Sequence, residues 1–465
     1  MIPRSKLRGI RPEEIDTACS CAPLVPTLGK LMSTKPTSSA KANEPVRVTR
    51  LDNGITVLTE RMEGQRGAAI GVWVGLGSRH DPKGKAGLAH LFEHMVFKGT
   101  PKRSALRISR ELEEVGGSLN AWTSREHTCF YAKVLEKDVP RALSLLCDMV
   151  ANAKITERDL TKERTVVLEE VRACDDDPDE LVSDLFAQGL WASQPLGEPI
   201  SGTIESVEGL NRQDLLDHQA RALGPDVPIC VSAAGAVDHD ALVALVAKGF
   251  AAKAKAPSVQ KATTLGKRNT RRLVRHKDVS QVSLILARRS LSIEHPDRHA
   301  LALLNLLLGG GMASRLNQVV REKHGLCYSV YSFLDLLIGA GAFGIALSTE
   351  PKQAAKALEL VDKEITRMSE GDLTKADLEF ARQYARGSSL LALESPSARM
   401  QHLGKSQLLY GRAISLDDIV AHIDAVDLEI LKRVAREQIP APTIENGWCL
   451  SAVSPEGSPL EWPLR

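Results

Sequence analysis

Two histidines and a glutamate stand close together in the stretch His90-Leu91-Phe92-Glu93-His94. On an α-helix, residues four apart project about 40° from one another, so His90 and His94 share a face. Glu93, three residues after His90, lies on the same side. Two neutral imidazoles beside a carboxylate are typical of a zinc site in which the metal polarises a water molecule.

A catalytic zinc site needs a third protein ligand in addition to two histidines. The sequence predicts an uninterrupted helix that begins after a cap at Thr156 and carries several acidic residues. Glu163 and Glu170, seven residues apart, share one face of this helix, whereas Glu169 points about 100° away. Taken separately, the two motifs have an ordinary alternative explanation, because solvated histidines and solvated acidic faces are common on surface helices.

The elements that would position these residues occur in two similar series. In each series a buried strand comes first, two helices follow it, and a second stretch of strand comes last. Glycines follow the second helix in the first series and the first helix in the second series. The first series is a strand at 68–74, the motif helix, a helix at about 104–115 and strand at 118–134. The second is a strand at 282–287, helices at about 296–308 and 314–323, and strand at 326–333. The order predicts an internal duplication in which the second copy has leucines in place of the motif.

The stretch between the two series is rich in Lys, Ala and Thr, as expected of a linker. We therefore predict four segments: a leader at 1–44, a metal-binding half at 45–255, a linker at 256–272 and a metal-free half at 273–465. The leader lacks periodicity and is expected to be a disordered tail. A mitochondrial presequence is the alternative, favoured by its arginines but opposed by Glu13, Glu14 and Asp16, and Met32 as the true start is also open.

Composition excludes several classes of protein. A length of 465 residues with 43% hydrophobic and 25% charged residues fits a soluble globular protein. Lys+Arg 60 against Asp+Glu 58 gives no electrostatic case for nucleic acid, and no apolar run is long enough to span a membrane. The 8 scattered cysteines fit a reducing compartment. We predict a bacterial cytoplasm, with the mitochondrial matrix as the alternative.

Four stretches resemble the M16, or pitrilysin/insulinase, family of zinc peptidases, and within it the β subunits of mitochondrial processing peptidases and their bacterial relatives. The first contains the inverzincin order His-x-x-Glu-His. The stretches are HLFEHMVFKGT from His90, GGSLNAWTSREHT from Gly116, KERTVVLEEV from Lys162 and LLGGGMASRLNQVVREKHGLCYSVYSF from Leu307. The resemblance covers nearly the whole chain after about residue 45. It implies an α+β fold of two similar halves, each a mostly antiparallel sheet with helices packed on it.

The resemblance also implies roles at the site. His90 and His94 would be zinc ligands, and Glu170, 76 residues beyond His94, would be the third. Glu93 would be the general base that takes a proton from the activated water. Glu163 would be an acid that supports the site.

Substrate contacts follow from the same resemblance. Asn120 and Ala121 would lie on an exposed strand edge with which peptides pair by β-augmentation. Arg321 and Tyr328 match a pair that holds the substrate or stabilises the oxyanion, and in two-domain members this pair approaches the zinc of a partner chain. Without the resemblance, Arg321 reads as a solvated residue.

Two further features have open alternatives. Glu180 and Asp184, four residues apart, resemble an acidic pocket for an arginine near the cleavage site, although the acidic run 175–180 could equally be a solvated helix start. Gly309-Gly310-Gly311 fits a mobile substrate loop or a turn after a helix.

The prediction is a zinc metalloendopeptidase with one zinc ion per chain that cleaves extended peptides or presequence-like segments. Because the zinc motif and the Arg/Tyr pair occur in one chain, a homodimer is expected, and a heterodimer with a metal-free paralogue is the alternative. A non-catalytic or partner-dependent structural subunit is the competing hypothesis. Such subunits typically lose part of the metal motif, which is complete here.

Overall fold

The computed structural model describes residues 46–192, 194–251 and 272–457. The predicted leader, and the predicted linker apart from its last residue, lie outside the described residues. The described chain forms two compact units. The first unit comprises the described part of Leu28–Asn269 together with Ser395–Ile414, and the second comprises the described parts of Thr270–Glu394 and Ser415–Arg465.

A six-stranded sheet forms the centre of the first unit, in the order β1-β2-β6-β3-β5-β4. Its strands pair antiparallel except β2 with β6. The strand β3 is buried along nearly its whole length, because helices cover both faces of the sheet at this point. The strands are β1 Val46–Arg50, β2 Thr56–Arg61, β3 Gly67–Val74, β4 Ser118–Thr123, β5 Thr128–Leu135 and β6 Ile229–Gly235.

Eight α-helices precede the gap at 252–271 in the described chain. They are α1 Leu88–Val96, α2 Ala105–Glu113, α3 Val139–Asn152, α4 Glu157–Asp176, α5 Pro178–Leu190, α6 Ile204–Glu208, α7 Arg212–Ala222 and α8 His239–Gly249. The predicted cap of the acidic helix is present, since the Thr156 hydroxyl accepts a hydrogen bond from the Asp159 backbone N–H at 3.1 Å.

The second unit contains a five-stranded sheet in the order β7-β11-β8-β10-β9. Its one parallel pair among the described strands is β7 with β11. The order matches β2-β6-β3-β5-β4 of the first unit strand for strand, including the position of the parallel pair, which confirms the predicted duplication. The strands are β7 Arg272–His276, β8 Val282–Arg289, β9 Cys327–Leu337, β10 Ala340–Thr349 and β11 Trp448–Ser454.

Helices after the gap complete both units. They are α9 Arg298–Gly309, a π-helical segment Asn317–Lys323, α10 Ala354–Ser369, α11 Lys375–Ala392, α12 Pro396–Tyr410, α13 Leu416–Asp424 and α14 Leu428–Gln438. The helix α9 follows β8 as α1 follows β3, and it is filled with buried leucines. None of the described helices is long and apolar enough to cross a membrane.

The strand predicted at 118–134 is two strands joined by a tight turn at 124–127. The Ser124 hydroxyl oxygen accepts hydrogen bonds from the backbone N–H groups of Glu126 and His127 at 3.2 and 3.1 Å. Its own hydroxyl donates to the His127 carbonyl at 2.9 Å. A serine that bonds to its own turn competes with the strand ladder, which is why the strand ends here.

Helix α12 packs on the first sheet although it comes late in the sequence. The Trp73 indole N–H donates to the Ser232 hydroxyl at 2.8 Å, and this hydroxyl donates to the Met400 carbonyl at 2.7 Å. At Gly404 the helix lies directly on the indole, and a Cβ atom there would stand 2.1 Å from the Trp73 ring. A residue without a side chain is therefore required at this contact.

Substitution Gly404→Ala should destabilise the protein by about 2–3 kcal/mol, because the fully buried Trp73 ring cannot move aside. Denaturant unfolding of the purified chain measures the change. The matched control is Gly387→Ala in α11, where a Cβ meets nothing within 4 Å. This control should gain about 0.5–1 kcal/mol from helix propensity. Equal effects of the two substitutions would contradict the packing contact.

Two buried histidines should make the fold sensitive to acid. Burial, reinforced by the charge of Lys405, lowers the pKa of His127 to about 3, and burial with Arg221 lowers the pKa of His218 to about 3. An unfolded histidine titrates near 6.5. Below that pH the unfolded chain binds protons that the folded chain does not. Stability is therefore complete above pH 6.5 and is lost as the pH falls towards 3.

The free energy of unfolding should fall less between pH 7 and pH 5 in His218→Phe than in wild type, by about 2 kcal/mol. The free energy of unfolding at the two pH values, compared with wild type, measures this difference. Exposed His324→Gln is the control, and it should keep the wild-type dependence. An unchanged dependence in His218→Phe would show that the buried ring does not drive the effect.

Candidate metal centre

Helix α1 presents its polar face because its other face is fixed in the core. Leu91, Phe92 and Met95 are buried, which leaves His90, Glu93 and His94 on the remaining side. At the start of the helix, the Asp81 carboxylate accepts hydrogen bonds from the backbone N–H groups of residues 87, 88 and 89, each at 3.1 Å. This carboxylate satisfies donors that would otherwise be unpaired and suits the positive end of the helix dipole.

Three predicted ligands converge between α1 and α4. The Glu170 Oε2 lies 3.7 Å from the His90 Nε2 and 3.5 Å from the His94 Nε2. One ligand atom from each of the three residues can be chosen so that all three atoms lie within 4.8 Å of one another. Among the described residues, this is the one group of histidine, cysteine and acidic side chains placed so that it could hold a metal ion. Buried Leu160 and Val167 hold the inner face of α4 in place.

These separations fit a metal ion. Ligand atoms about 2.0–2.1 Å from a tetrahedral zinc ion stand about 3.3 Å apart, close to the distances from Glu170 to the two histidines. Two imidazole nitrogens with one carboxylate oxygen form the donor set of catalytic zinc, which leaves a fourth position open. His90, His94 and Glu170 could therefore hold one zinc ion.

The electrostatics of the site favour positive charge at its centre. Burial lowers the pKa of His94, but hydrogen bonds to Glu163 and Glu170 outweigh this and raise it to about 9. Burial, with the charge of His94, lowers the pKa of His90 to about 4. Burial raises the pKa of Glu170, yet the hydrogen bond to His94 reverses this and leaves it below its ordinary value. The carboxylates thus stabilise positive charge between them, and they would stabilise a metal ion there in the same way.

Glu163 joins the site to a lysine that the sequence analysis did not identify. One carboxylate oxygen lies 3.4 Å from the His94 Nδ1, and the other lies 2.6 Å from the Lys98 Nζ. Glu163 is buried, which raises its pKa, but the hydrogen bonds to His94 and Lys98 lower it overall. The carboxylate can orient the His94 ring from behind, an arrangement common at metal-bound histidines. Lys98 follows His94 by four residues, just beyond the end of α1, and that spacing could have identified it.

Glu93 faces the site with one hydroxyl partner. The Thr123 hydroxyl of β4 donates to the Glu93 Oε2 at 2.6 Å. Burial raises the pKa of Glu93, while the hydrogen bond from Thr123 opposes that rise. Glu93 and Thr123 are 30 positions apart in the sequence. No rule of helix or strand spacing would therefore have paired them.

Asn120 and Ala121 lie on β4, which is the last strand of its sheet. Asn120 is exposed and Ala121 is half-buried. The outer side of β4 therefore has no strand neighbour among the described residues, and helix α1 packs beside the same strand.

Glu180 and Asp184 lie on α5, close to the end of α4. Burial raises the pKa of Asp184 to about 6 despite the charge of Arg125, and burial raises that of Glu180. Burial, followed by the charges of Glu180, Asp184 and Glu170, raises the pKa of Cys174 to about 11. The charges of Glu180, Asp184 and Glu170 thus all act on the Cys174 thiol, and the role of the acidic pair in substrate binding stays a prediction.

Arg321 and Tyr328 are brought together in the second unit. The Arg321 guanidinium lies 5.5 Å from the centre of the Tyr328 ring, and the Tyr328 side chain is 84% exposed. The glycine run 309–311 begins at Gly309, which is the last residue of α9. The turn at the end of a helix is thus present, and the role of these residues in substrate binding stays a prediction.

Two family models match the chain. Residues 56–204 match the model described as Insulinase (Peptidase family M16). Residues 209–384 match the model described as Peptidase M16 inactive domain. The first range contains His90, His94 and Glu170, and the second contains Arg321 and Tyr328.

Several curated proteins are similar over most of their length. A Mycobacterium tuberculosis protein named as an uncharacterized zinc protease is 37% identical over 434 residues, which is 92% of this chain and 98% of that protein. A Bacillus subtilis protein also named as an uncharacterized zinc protease is 36% identical over 87% of this chain and 97% of its own length. The mitochondrial-processing peptidase subunit beta of Bos taurus is 34% identical over 88% of this chain and 85% of its own length.

Solved structures share the fold. The peptidase M16 inactive domain from Pseudomonas fluorescens superposes with a TM-score of 0.79 at 21% identity, covering 89% of this chain and 99% of that one. A protease from Helicobacter pylori gives a TM-score of 0.79 at 23% identity, covering 88% and 99%. The predicted α+β fold of two similar halves and the predicted resemblance are both confirmed, and the chain belongs to peptidase family M16.

Proposed function

We propose that this chain is a zinc metalloendopeptidase. The observation that carries the proposal is the convergence of two imidazole nitrogens and a carboxylate within 4.8 Å, with Glu93 on the same helix as both histidines. Membership of family M16, and the zinc protease names of relatives, support it. His90, His94 and Glu170 are the proposed ligands of one zinc ion per chain.

A zinc ion held by His90, His94 and Glu170 would supply the Lewis acidity that activates water and polarises a carbonyl group. Glu93 accepts a proton from this water and later passes it to the leaving amine nitrogen, as a general base and then a general acid. Burial suits Glu93 to the first of these roles because its raised pKa makes the carboxylate a stronger base towards the water proton. Glu163 holds the His94 ring, and Lys98 holds Glu163.

The proposed substrates are extended peptides or presequence-like segments. The unpaired side of β4 at Asn120 and Ala121 offers backbone groups to an extended chain, which would bind as an added strand. Glu180 and Asp184 would attract an arginine of the substrate through charge-assisted hydrogen bonds. Arg321 and Tyr328 are proposed, on the family resemblance, to donate hydrogen bonds to the substrate or the oxyanion.

A partner-dependent subunit is the competing proposal. The bovine relative is named as a subunit, which favours an assembly. The complete metal motif together with Arg321 and Tyr328 in one chain favours a homodimer over a heterodimer with a metal-free paralogue. For the compartment we propose the cytoplasm, because the 6 described cysteines are free thiols.

The purified chain alone should bind about one equivalent of zinc and hydrolyse a quenched arginine-containing peptide. Substitution Glu93→Gln should keep the zinc and lower kcat by at least about a thousandfold, because the proton acceptor is lost. Metal analysis and peptide fluorescence measure both quantities. Glu169→Gln is the matched control, since this exposed neighbour of Glu170 should leave both unchanged.

The outcomes separate the competing proposals. The partner-dependent subunit would be favoured if the wild-type chain binds zinc but hydrolyses the peptide only after a second purified chain is added. Absence of both zinc and hydrolysis would overturn the peptidase. Sedimentation of the active protein distinguishes a homodimer from a monomer.

Zinc affinity should depend on the carboxylate behind His94. Substitution Glu163→Gln should weaken zinc binding about 10- to 100-fold, because the charge that orients the ring is lost. Lys98→Met should weaken it less, since it leaves the carboxylate in place. Competition with a chromophoric chelator measures the affinity. Lys102→Met, four residues along and exposed, is the control, and a loss there equal to that of Lys98→Met would contradict the assignment.

A further inference from the structure

The hydrogen bond between Thr123 and Glu93 connects two elements of different function. Glu93 lies on α1, the helix with the two histidines, and Thr123 ends β4, the strand with Asn120 and Ala121. The hydroxyl donates to the Glu93 Oε2 at 2.6 Å, within the range of hydrogen bonds to ionised carboxylates. A side chain on the proposed substrate strand therefore holds the proposed general base.

Thr123 is itself fixed by the neighbouring strands. It pairs with Thr128 in the β4–β5 register, and the two hydroxyl oxygens lie 3.3 Å apart. The Thr128 hydroxyl donates to the Leu76 carbonyl at 2.9 Å and is buried. Because the Thr128 hydroxyl donates its one proton to Leu76, the Thr123 hydroxyl proton remains directed at the Glu93 carboxylate.

The turn after Thr123 is held as firmly. The Ser78 and Arg79 backbone N–H groups donate to the carbonyls of Ser124 and Arg125 at 3.0 and 2.9 Å. At Gly77 the two segments touch so closely that a Cβ would stand 2.3 Å from the Ser124 carbonyl oxygen. The segment that holds the turn continues to Asp81, which caps α1. The hydroxyl and the helix of Glu93 are therefore positioned from one short stretch of backbone.

We propose that Thr123 is a positioning residue that holds the Glu93 carboxylate in its reactive orientation from the substrate-binding strand. The inference rests on the proposed peptidase function and adds a residue to it. Thr123 would contact neither the zinc nor the substrate, so its loss should affect turnover and leave binding unchanged. A glutamate without this partner can rotate about its side-chain bonds, and misplacement by about 1 Å is costly in catalysis.

The test is steady-state hydrolysis of the quenched arginine-containing peptide by the zinc-loaded full chain with Thr123→Val, which removes the hydroxyl but keeps the shape and the strand propensity. We expect kcat to fall about 10- to 100-fold with KM within about threefold of wild type. Thr123→Ser restores the donor and should return kcat to within about threefold of wild type. Ser109→Ala, which removes an exposed hydroxyl from α2, is the control and should have wild-type kinetics.

Two measurements without turnover distinguish positioning from general damage. Zinc affinity of Thr123→Val, by chelator competition, should equal that of wild type. The peptide Kd, measured by anisotropy in a Glu93→Gln background, should be the same with and without Thr123→Val. If Thr123→Val does not fold, Thr123→Ala compared with Thr123→Ser provides the same contrast.

Each result decides the proposal. Wild-type kcat in Thr123→Val, or a loss that appears in KM, peptide Kd or zinc affinity, overturns the positioning role while the peptidase stands. A wild-type chain that neither binds zinc nor hydrolyses the peptide overturns the proposed function and this inference with it, and a chain that is active only with a second purified chain is tested in that assembly. A selective loss of kcat, reversed by serine, supports the assignment.

Discussion

The charges of the ionisable side chains in the space between α1 and α4 have to balance one another. Glu163 and Glu170 place negative charge beside His94, which raises its pKa to about 9. Partly buried charges of this kind are costly unless they are paired. Lys98 compensates one carboxylate, and a metal ion between the histidines and Glu170 would compensate the other. The same imbalance that makes the site costly for folding makes it suitable for a divalent cation.

The backbone around the site is organised to keep these groups in place. Asp81 fixes the start of α1, the loop before it fixes the turn after β4, and Thr123 reaches back to Glu93. The metal ligands, the base and the substrate strand are therefore connected through a continuous hydrogen-bonded frame. Preorganisation of this kind lowers the cost of reaching a reactive geometry.

The five strands of the second sheet have the same order as five of the six strands of the first, yet only the first copy contains the candidate metal ligands. Helix α9 takes the place of α1 in the second copy, and leucines fill the positions that would have to be polar. This helix also buries Arg298, His299 and Asn305, yet among the described residues only His90, His94 and Glu170 form a group that could hold a metal ion. The shared order explains why the duplication could be predicted from element order although the residues differ.

Local periodicity alone determined much of this protein. The spacing of His90, Glu93 and His94, the shared face of Glu163 and Glu170, and the order of strands and helices were all predicted from the sequence, because helix and strand geometry repeats over short distances. Family membership followed from the same motifs. Only the tertiary structure brought Glu170 to within 3.7 Å of His90, paired Thr123 with Glu93, and placed α12 on a sheet formed more than 150 residues earlier. Those contacts depend on how separate elements pack, and sequence spacing contains no information about the distance between two helices or between a helix and a sheet.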